Sequence, residues 1–247
     1  MMHSGLEFAL AQRTVLKVIS GLNNFNPDRV AMVVRAAQQG GASFVDIAAR
    51  PNLVVLARDV STLPICVSAV DPAQFVDCVA AGAELIEIGN YDSFYAQGRV
   101  FSAAEVLVLT AETRSLLPAI PLSVTVPHTL PLDQQVQLAI DLVQAGADLI
   151  QTEGGTSSQP IHPGTLGFIE KAAPTLAAAF EISRAVSVPV LCASGLSSVT
   201  APMAIAAGAA GIGVGSAINQ LNSEIAMIAA VRSLVEALQT APATAAI

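Results

Sequence analysis

"GAELIEI", residues 82–88, follows a helical pattern and reads as a turn into a strand. Its glycine closes the preceding helix in a left-handed conformation, and the residues after it extend into a sheet. The same shape recurs as "GASFVDI" at 41–47, "GADLIQT" at 146–152 and "GAAGIGV" at 208–214. A recurrence of this kind marks a repeated supersecondary unit. Four more strand-like runs lie between or before the copies: "VLKVISG" (15–21), "PICVSAV" (64–70), "PLSVTV" (121–126) and "PVLCASG" (189–195). Three of them begin with Pro, which suits the first position of a strand. Helical patterns such as "PDRVAMVVRAAQQ" and "LDQQVQLAIDLVQ" separate the strands. Eight βα units predict an α/β chain folded as a (β/α)8 TIM barrel. A doubly wound open sheet is the alternative. The repeat on strands 2, 4, 6 and 8 favours the barrel, because alternate strands supply one layer of a barrel interior.

Outside the barrel, "MMHSGLEFALAQRT" reads as a short N-terminal amphipathic helix without the pattern of a signal peptide. Residues 1–240 are expected to form a single domain, with 241–247 a small-residue, flexible tail. Of the 247 residues, 53% are hydrophobic and 12% charged, which allows a large core. Net charge is -8 and the 11 basic residues are scattered, which argues against nucleic acid or an anionic membrane as partner. Gly, Pro or charges interrupt each apolar run before about 18 residues, so no transmembrane span is expected. Cys66, Cys78 and Cys192 have no metal-like spacing and fit a reduced, cytoplasmic compartment.

The outer face of a barrel strand meets helices, so polar strand residues are expected to point inward. Aligning the repeats puts Asp46, Glu87, Gln151 and Gly213 at equivalent positions. Alternation adds Lys17, Ser68, Glu153 and either Ser123 or Thr125. A purely structural barrel would fill this space with Val, Ile and Leu. Here one amine converges with carboxylates and hydroxyls.

Active sites of this fold lie at the C-terminal ends of the strands. The last two units, "LCASGLSS" and "GIGVGSAINQL", place glycine turns after strands 7 and 8, where such barrels form a phosphate pocket. Ser194, Gly195, Leu196, Gly213, Gly215 and Ser216 are therefore the anion-binding candidates, with bare backbone N–H groups as donors. Close packing at tight turns is the alternative. Asn23, Asn90, Thr125, His128 and Gln151 are the candidate substrate contacts. Both tyrosines, with Asp92 and Arg99, follow strand 4. The longest connection, residues 154–174, reads as a loop with the length of a lid.

With these residues placed, "KVISGLNNFN" (17–26), "VPH" (126–128), "LIQTEGGTSS" (149–158) and "LCASGLS" (191–197) together resemble the hypothetical chloroplast reading-frame family, frame twenty-three. The resemblance implies a cyanobacterial cytosol, or a plastid stroma if the source is algal. More broadly, strands 7 and 8 are similar to those of the phosphate-binding, aldolase-type barrels. That superfamily includes flavin-linked oxidoreductases, synthases and epimerases acting on phosphorylated metabolites.

Lys17 has three readings: an ion pair with Asp46 or Glu87, a catalytic amine, or a contact to a cofactor. Asp46, Glu87 and Glu153 come from different strands, and a divalent cation among them ranks below the ion network, since Lys17 already offsets their charge. No metal is therefore expected. The function expected is a lyase, synthase or isomerase on a small phosphorylated metabolite, with Lys17, Asp46, Glu87 and Glu153 as catalytic groups. The alternatives are an oxidoreductase carrying flavin mononucleotide (FMN) and a non-catalytic, ligand-binding regulatory barrel. The apolar "AAEVLVLTA" and "EIAMIAAV" helices suggest a homo-oligomer.

Overall fold

The computed structural model describes residues 3–154 and 158–240. The tail expected to be flexible, 241–247, lies outside them, as do residues 155–157 of the connection read as a lid. The strands are β1 (Val15–Gly21), β2 (Phe44–Ala48), β3 (Ile65–Ala69), β4 (Leu85–Ile88), β5 (Leu122–Thr125), β6 (Leu149–Gln151), β7 (Val190–Ala193) and β8 (Gly211–Val214). They pair in parallel in that order, and β8 pairs back to β1, closing the barrel. The open-sheet alternative is therefore wrong.

A helix follows each strand because the apolar outer face of the sheet needs cover. These are α2 (Pro27–Gly40), α3 (Pro51–Val60), α4 (Ala73–Ala80), α6 (Ala103–Leu116), α7 (Leu132–Gln144), α8 (Gly164–Ala185), α9 (Ala201–Ala206) and α11 (Glu224–Gln239). Two single-turn helices, α5 (Asp92–Tyr95) and α10 (Ser216–Asn219), sit on the loops after β4 and β8. Before the barrel, α1 (Ser4–Ala11) inserts Leu6 and Leu10 among Val15, Phe44, Cys66, Leu85, Leu149 and Leu191. The N-terminal end of the barrel is thus plugged by hydrocarbon, and the polar residues occupy the other half.

One segment departs from the sequence reading. Residues 164–174, read as loop, belong to α8, which carries Pro174 in its interior. Lys171 is therefore helical as well. Pro174 removes one N–H from the ladder, yet the turn survives. Its neighbours Ala172 and Thr175 are fully buried, and Thr175 Oγ1 bonds the Ala193 carbonyl. Tertiary packing holds a turn that local propensity disfavours. Among the described residues, no helix is long and apolar enough to cross a membrane.

Candidate active site

Register places the inward residues in layers. Lys17 is level with Gly213 and Phe44, Ser68 with Glu87, Glu87 with Ser123, and Thr125 with Gln151. Both Ser123 and Thr125 point inward, since both hydroxyls contact Glu87.

The Lys17 ammonium sits at the centre of the barrel and is 0% exposed. It donates to Glu87 Oε2 at 2.6 Å and Gln151 Oε1 at 3.0 Å, and pairs with Asp46 Oδ2 at 3.0 Å. Two of these contacts are hydrogen bonds and the third is an ion pair. Burial pulls the lysine pKa down, but the Asp46 and Glu87 carboxylates outweigh it and hold the amine protonated well above its ordinary range. An amine held protonated in this way has no lone pair to offer a carbonyl. Burial drives the Glu87 carboxyl up, against the pull of Lys17.

The carboxylates are saturated in turn. Ser123 Oγ donates to Glu87 Oε2 at 2.7 Å and Gln151 Nε2 to Glu87 Oε1 at 2.9 Å. Ser68 Oγ donates to Asp46 Oδ1 at 2.6 Å. Asn90 Nδ2 reaches Asp46 Oδ2 at 3.0 Å and Glu87 Oε1 at 3.2 Å, bridging the two acids from above. Asn90 adopts φ +62°, a left-handed conformation that Asn tolerates better than most residues.

Above this network lies a cavity of about 360 Å³. Gln151 and Asn90 line its floor, so they belong to both the network and the cavity. Asn23, Glu153, Ser194, Gly195, Leu196, Gly213, Gly215 and Ser216 also line it. The anion candidates are thus brought together with three of the substrate-contact candidates, Asn23, Asn90 and Gln151, and with one of the candidate catalytic carboxylates, Glu153. Lys17, Asp46, Glu87, Thr125 and His128 do not line it. A Cβ on Gly213 would stand 2.9 Å from Ala193 Cβ and 3.2 Å from Gln151 Oε1, so the absence of a side chain there leaves room for the Gln151 amide.

Glu153 stands apart from the other acids. It is 4% exposed, and its Oε1 accepts from the His128 backbone N–H at 3.1 Å and faces His128 Nδ1 at 3.0 Å. The Tyr95 hydroxyl donates to the same oxygen, and the Tyr95 ring meets the His128 imidazole edge-on at 4.8 Å. Burial, then the nearby negative charge of Asp92, raises the Glu153 carboxyl, while the His128 hydrogen bond opposes them. The trio Asp46, Glu87 and Glu153 considered from the sequence does not form; Glu153 joins Asp92 and His128 instead, their ligand atoms within 4.8 Å of one another. Asp92 and Tyr95 were placed at the mouth by their position after strand 4, but no pattern assigned them to Glu153. Asn219 also reaches the cavity, tied by its Nδ2 to the Ile19 carbonyl at 2.8 Å. His162 bonds Glu170 on the surface of α8, away from these groups.

Residues 2–244 match the family described as "Protein of unknown function (DUF561)". The chain belongs to this DUF561 family. A relative described as "Uncharacterized protein ycf23", from Cyanophora paradoxa, is 48% identical over 92% of this chain and 93% of its own length. The DUF561 chain thus has plastid-type relatives, as its motifs implied. Among solved structures, a thiamine phosphate pyrophosphorylase from Pyrococcus furiosus superposes with a TM-score of 0.64 at 17% identity, covering 95% of this chain and all of that one (100%). A 3-hexulose-6-phosphate synthase superposes at 0.63 with 14% identity, over 90% of this chain and 99% of that one. At such identities the DUF561 chain shares their aldolase-type barrel fold.

Proposed function

We propose that this DUF561 protein binds a small phosphorylated metabolite at the C-terminal mouth of its barrel and acts on it as a lyase, synthase or isomerase. The observation that carries the reading is the cavity itself. The turns after β7 and β8 supply Gly195, Gly215 and Ser216 on one side, and Glu153, Gln151 and Asn90 supply acid and amide groups on the other. The names of the two enzymes of like fold both contain a phosphorylated compound, which supports the anion assignment without naming the substrate. In this reading Lys17, Asp46 and Glu87 are positioning residues that hold the Gln151 and Asn90 amides still. Of the four candidate catalytic groups, Glu153 alone lines the cavity and so reaches the bound ligand directly.

The test is native mass spectrometry of the protein as purified, followed by calorimetric titration with inorganic phosphate. A retained phosphorylated compound, or saturable phosphate binding, is expected. Ser216→Asp sets a carboxylate in the anion pocket at an exposed residue, so the variant should fold normally. It should bind phosphate at least tenfold more weakly, about 1.4 kcal/mol. No retained compound together with no phosphate binding at millimolar concentration would remove the reading. A yellow protein with flavin absorbance would move it to an FMN oxidoreductase.

We further propose that the chain self-associates through its apolar helix surfaces. Ile225 on α11 is 79% exposed and Val108 on α6 is 56% exposed. Light scattering is expected to report a dimer or larger species, and a clean monomer at micromolar concentration would contradict it.

A further inference from the structure

The cavity poses an electrostatic problem. Two carboxylates, Asp92 and Glu153, line it, and no Lys, Arg or His side chain does among the described residues. A phosphoryl group entering it would meet like charge with no cation beside it. The Lys17 ammonium lies beneath, fully buried and shared between Asp46 and Glu87.

Asp92, His128 and Glu153 come from the ends of three different strands and meet at this mouth, with ligand atoms within 4.8 Å of one another. A single ion with bonds of about 2.0–2.6 Å spans such a set after a small contraction. Glu153 is almost wholly buried and lines the cavity. The cavity lining gives a second, independent observation: the Ser93 hydroxyl, next in the chain to Asp92, and Asn219 Oδ1 are buried there without a hydrogen-bond partner among the described residues. Unmatched oxygen acceptors on the lining of an acidic cavity suit a cation, since leaving such groups unpaired is costly.

We propose that Asp92, His128 and Glu153 bind one divalent cation at the cavity rim, which bridges the protein to the phosphoryl oxygens of its ligand. Two carboxylates and one imidazole select an ion that accepts both oxygen and nitrogen, Mn²⁺ or Zn²⁺ over Mg²⁺ or Ca²⁺. Three protein ligands leave coordination positions open toward the cavity, as a site that takes up substrate requires. The bridging role rests on the phosphoryl reading; the ion site itself does not.

The experiment follows Mn²⁺ alone by electron paramagnetic resonance and calorimetry, using full-length protein dialysed against chelator. One Mn²⁺ per chain is expected, with affinity reduced at least tenfold in Asp92→Asn and in Glu153→Gln. Asp92 is half-exposed, so Asp92→Asn remains informative if Glu153→Gln fails to fold. Asp133→Asn, on the exposed first turn of α7, should leave binding unchanged. Inorganic phosphate is then titrated into chelated and Mn²⁺-loaded protein, and tighter binding to the loaded form is expected. Absence of saturable Mn²⁺ binding, or the same affinity in folded Asp92→Asn as in the parent, overturns the ion site. Phosphate binding that persists while Mn²⁺ binding fails leaves the phosphoryl reading standing and removes only the cation.

Discussion

Lys17→Met is expected to destabilise the protein by about 3–5 kcal/mol, the cost of breaking a buried ion pair by deleting one partner. The methionine replaces the lysine stem beside Phe44, whose ring centre is 6.0 Å from Nζ, so lost packing contributes little. What remains is two carboxylates, Asp46 and Glu87, both nearly inaccessible to water and now without their cation. Against a total stability of about 5–15 kcal/mol, such a loss shifts the urea midpoint strongly or abolishes soluble expression. The triple variant Lys17→Met, Asp46→Asn, Glu87→Gln should recover most of the loss, because it removes the charges together. A single variant within about 1 kcal/mol of the parent, against the loss of about 3 kcal/mol or more expected, would mean that water or a neighbour compensates the acids. The pH dependence has a definite sign. A lysine raised in the folded state contributes stability that is complete below its unfolded pKa, about 10.4. That contribution is lost only as the pH rises through the higher folded value, so the lysine itself adds no slope between neutral pH and pH 9.

Gly89→Ala is expected to damage stability and the site together. Gly89 lies between Ile88 of β4 and Asn90, at φ +155°, a region open essentially to glycine alone. An added Cβ would fall inside the Thr125 side chain, with the Thr125 backbone nitrogen 3.3 Å away. The strain is about 1–3 kcal/mol, and overpacking adds about 1–3 kcal/mol. Thr125 Oγ1 accepts from Gln151 Nε2 at 3.2 Å, and Asn90 follows directly in the chain. Any shift that relieves the clash moves the two amides that floor the cavity. Urea denaturation should show the loss of stability, and calorimetry should show weaker phosphate binding in whatever folds. Unchanged phosphate affinity in a destabilised Gly89→Ala protein would mean that those amides do not set the shape of the cavity.

The contrast between these two residues and Glu153 shows where sequence reasoning reaches. Lys17, Asp46 and Glu87 were legible because a charge in an apolar strand is conspicuous, and the period of two along a strand assigns it a face. The repeat "GAxx" followed by Ile or Val, with its companions, made the strand order legible, and closure followed from the count of units. The start of α8 was not legible. Gly164, Gly167 and Pro174 all disfavour a helix locally, and only the burial of Ala172 and Thr175 against β7 overrides them.

The partner of Glu153 was equally hidden. Asp92, Tyr95 and His128 lie 25 to 61 positions away along the chain, on loops that follow no period. Read alone, the sequence determined that eight strands close into a ring, that a lysine and two acids point into it, and that glycine turns meet at its mouth. These follow from periodicity and backbone geometry, which are local. Only the tertiary structure decided that the lysine is spent inside the network and that Glu153 belongs with Asp92 and His128. It also set that group beside the glycine turns after β7 and β8, because those distances depend on how far each strand runs and where each loop turns back across the barrel.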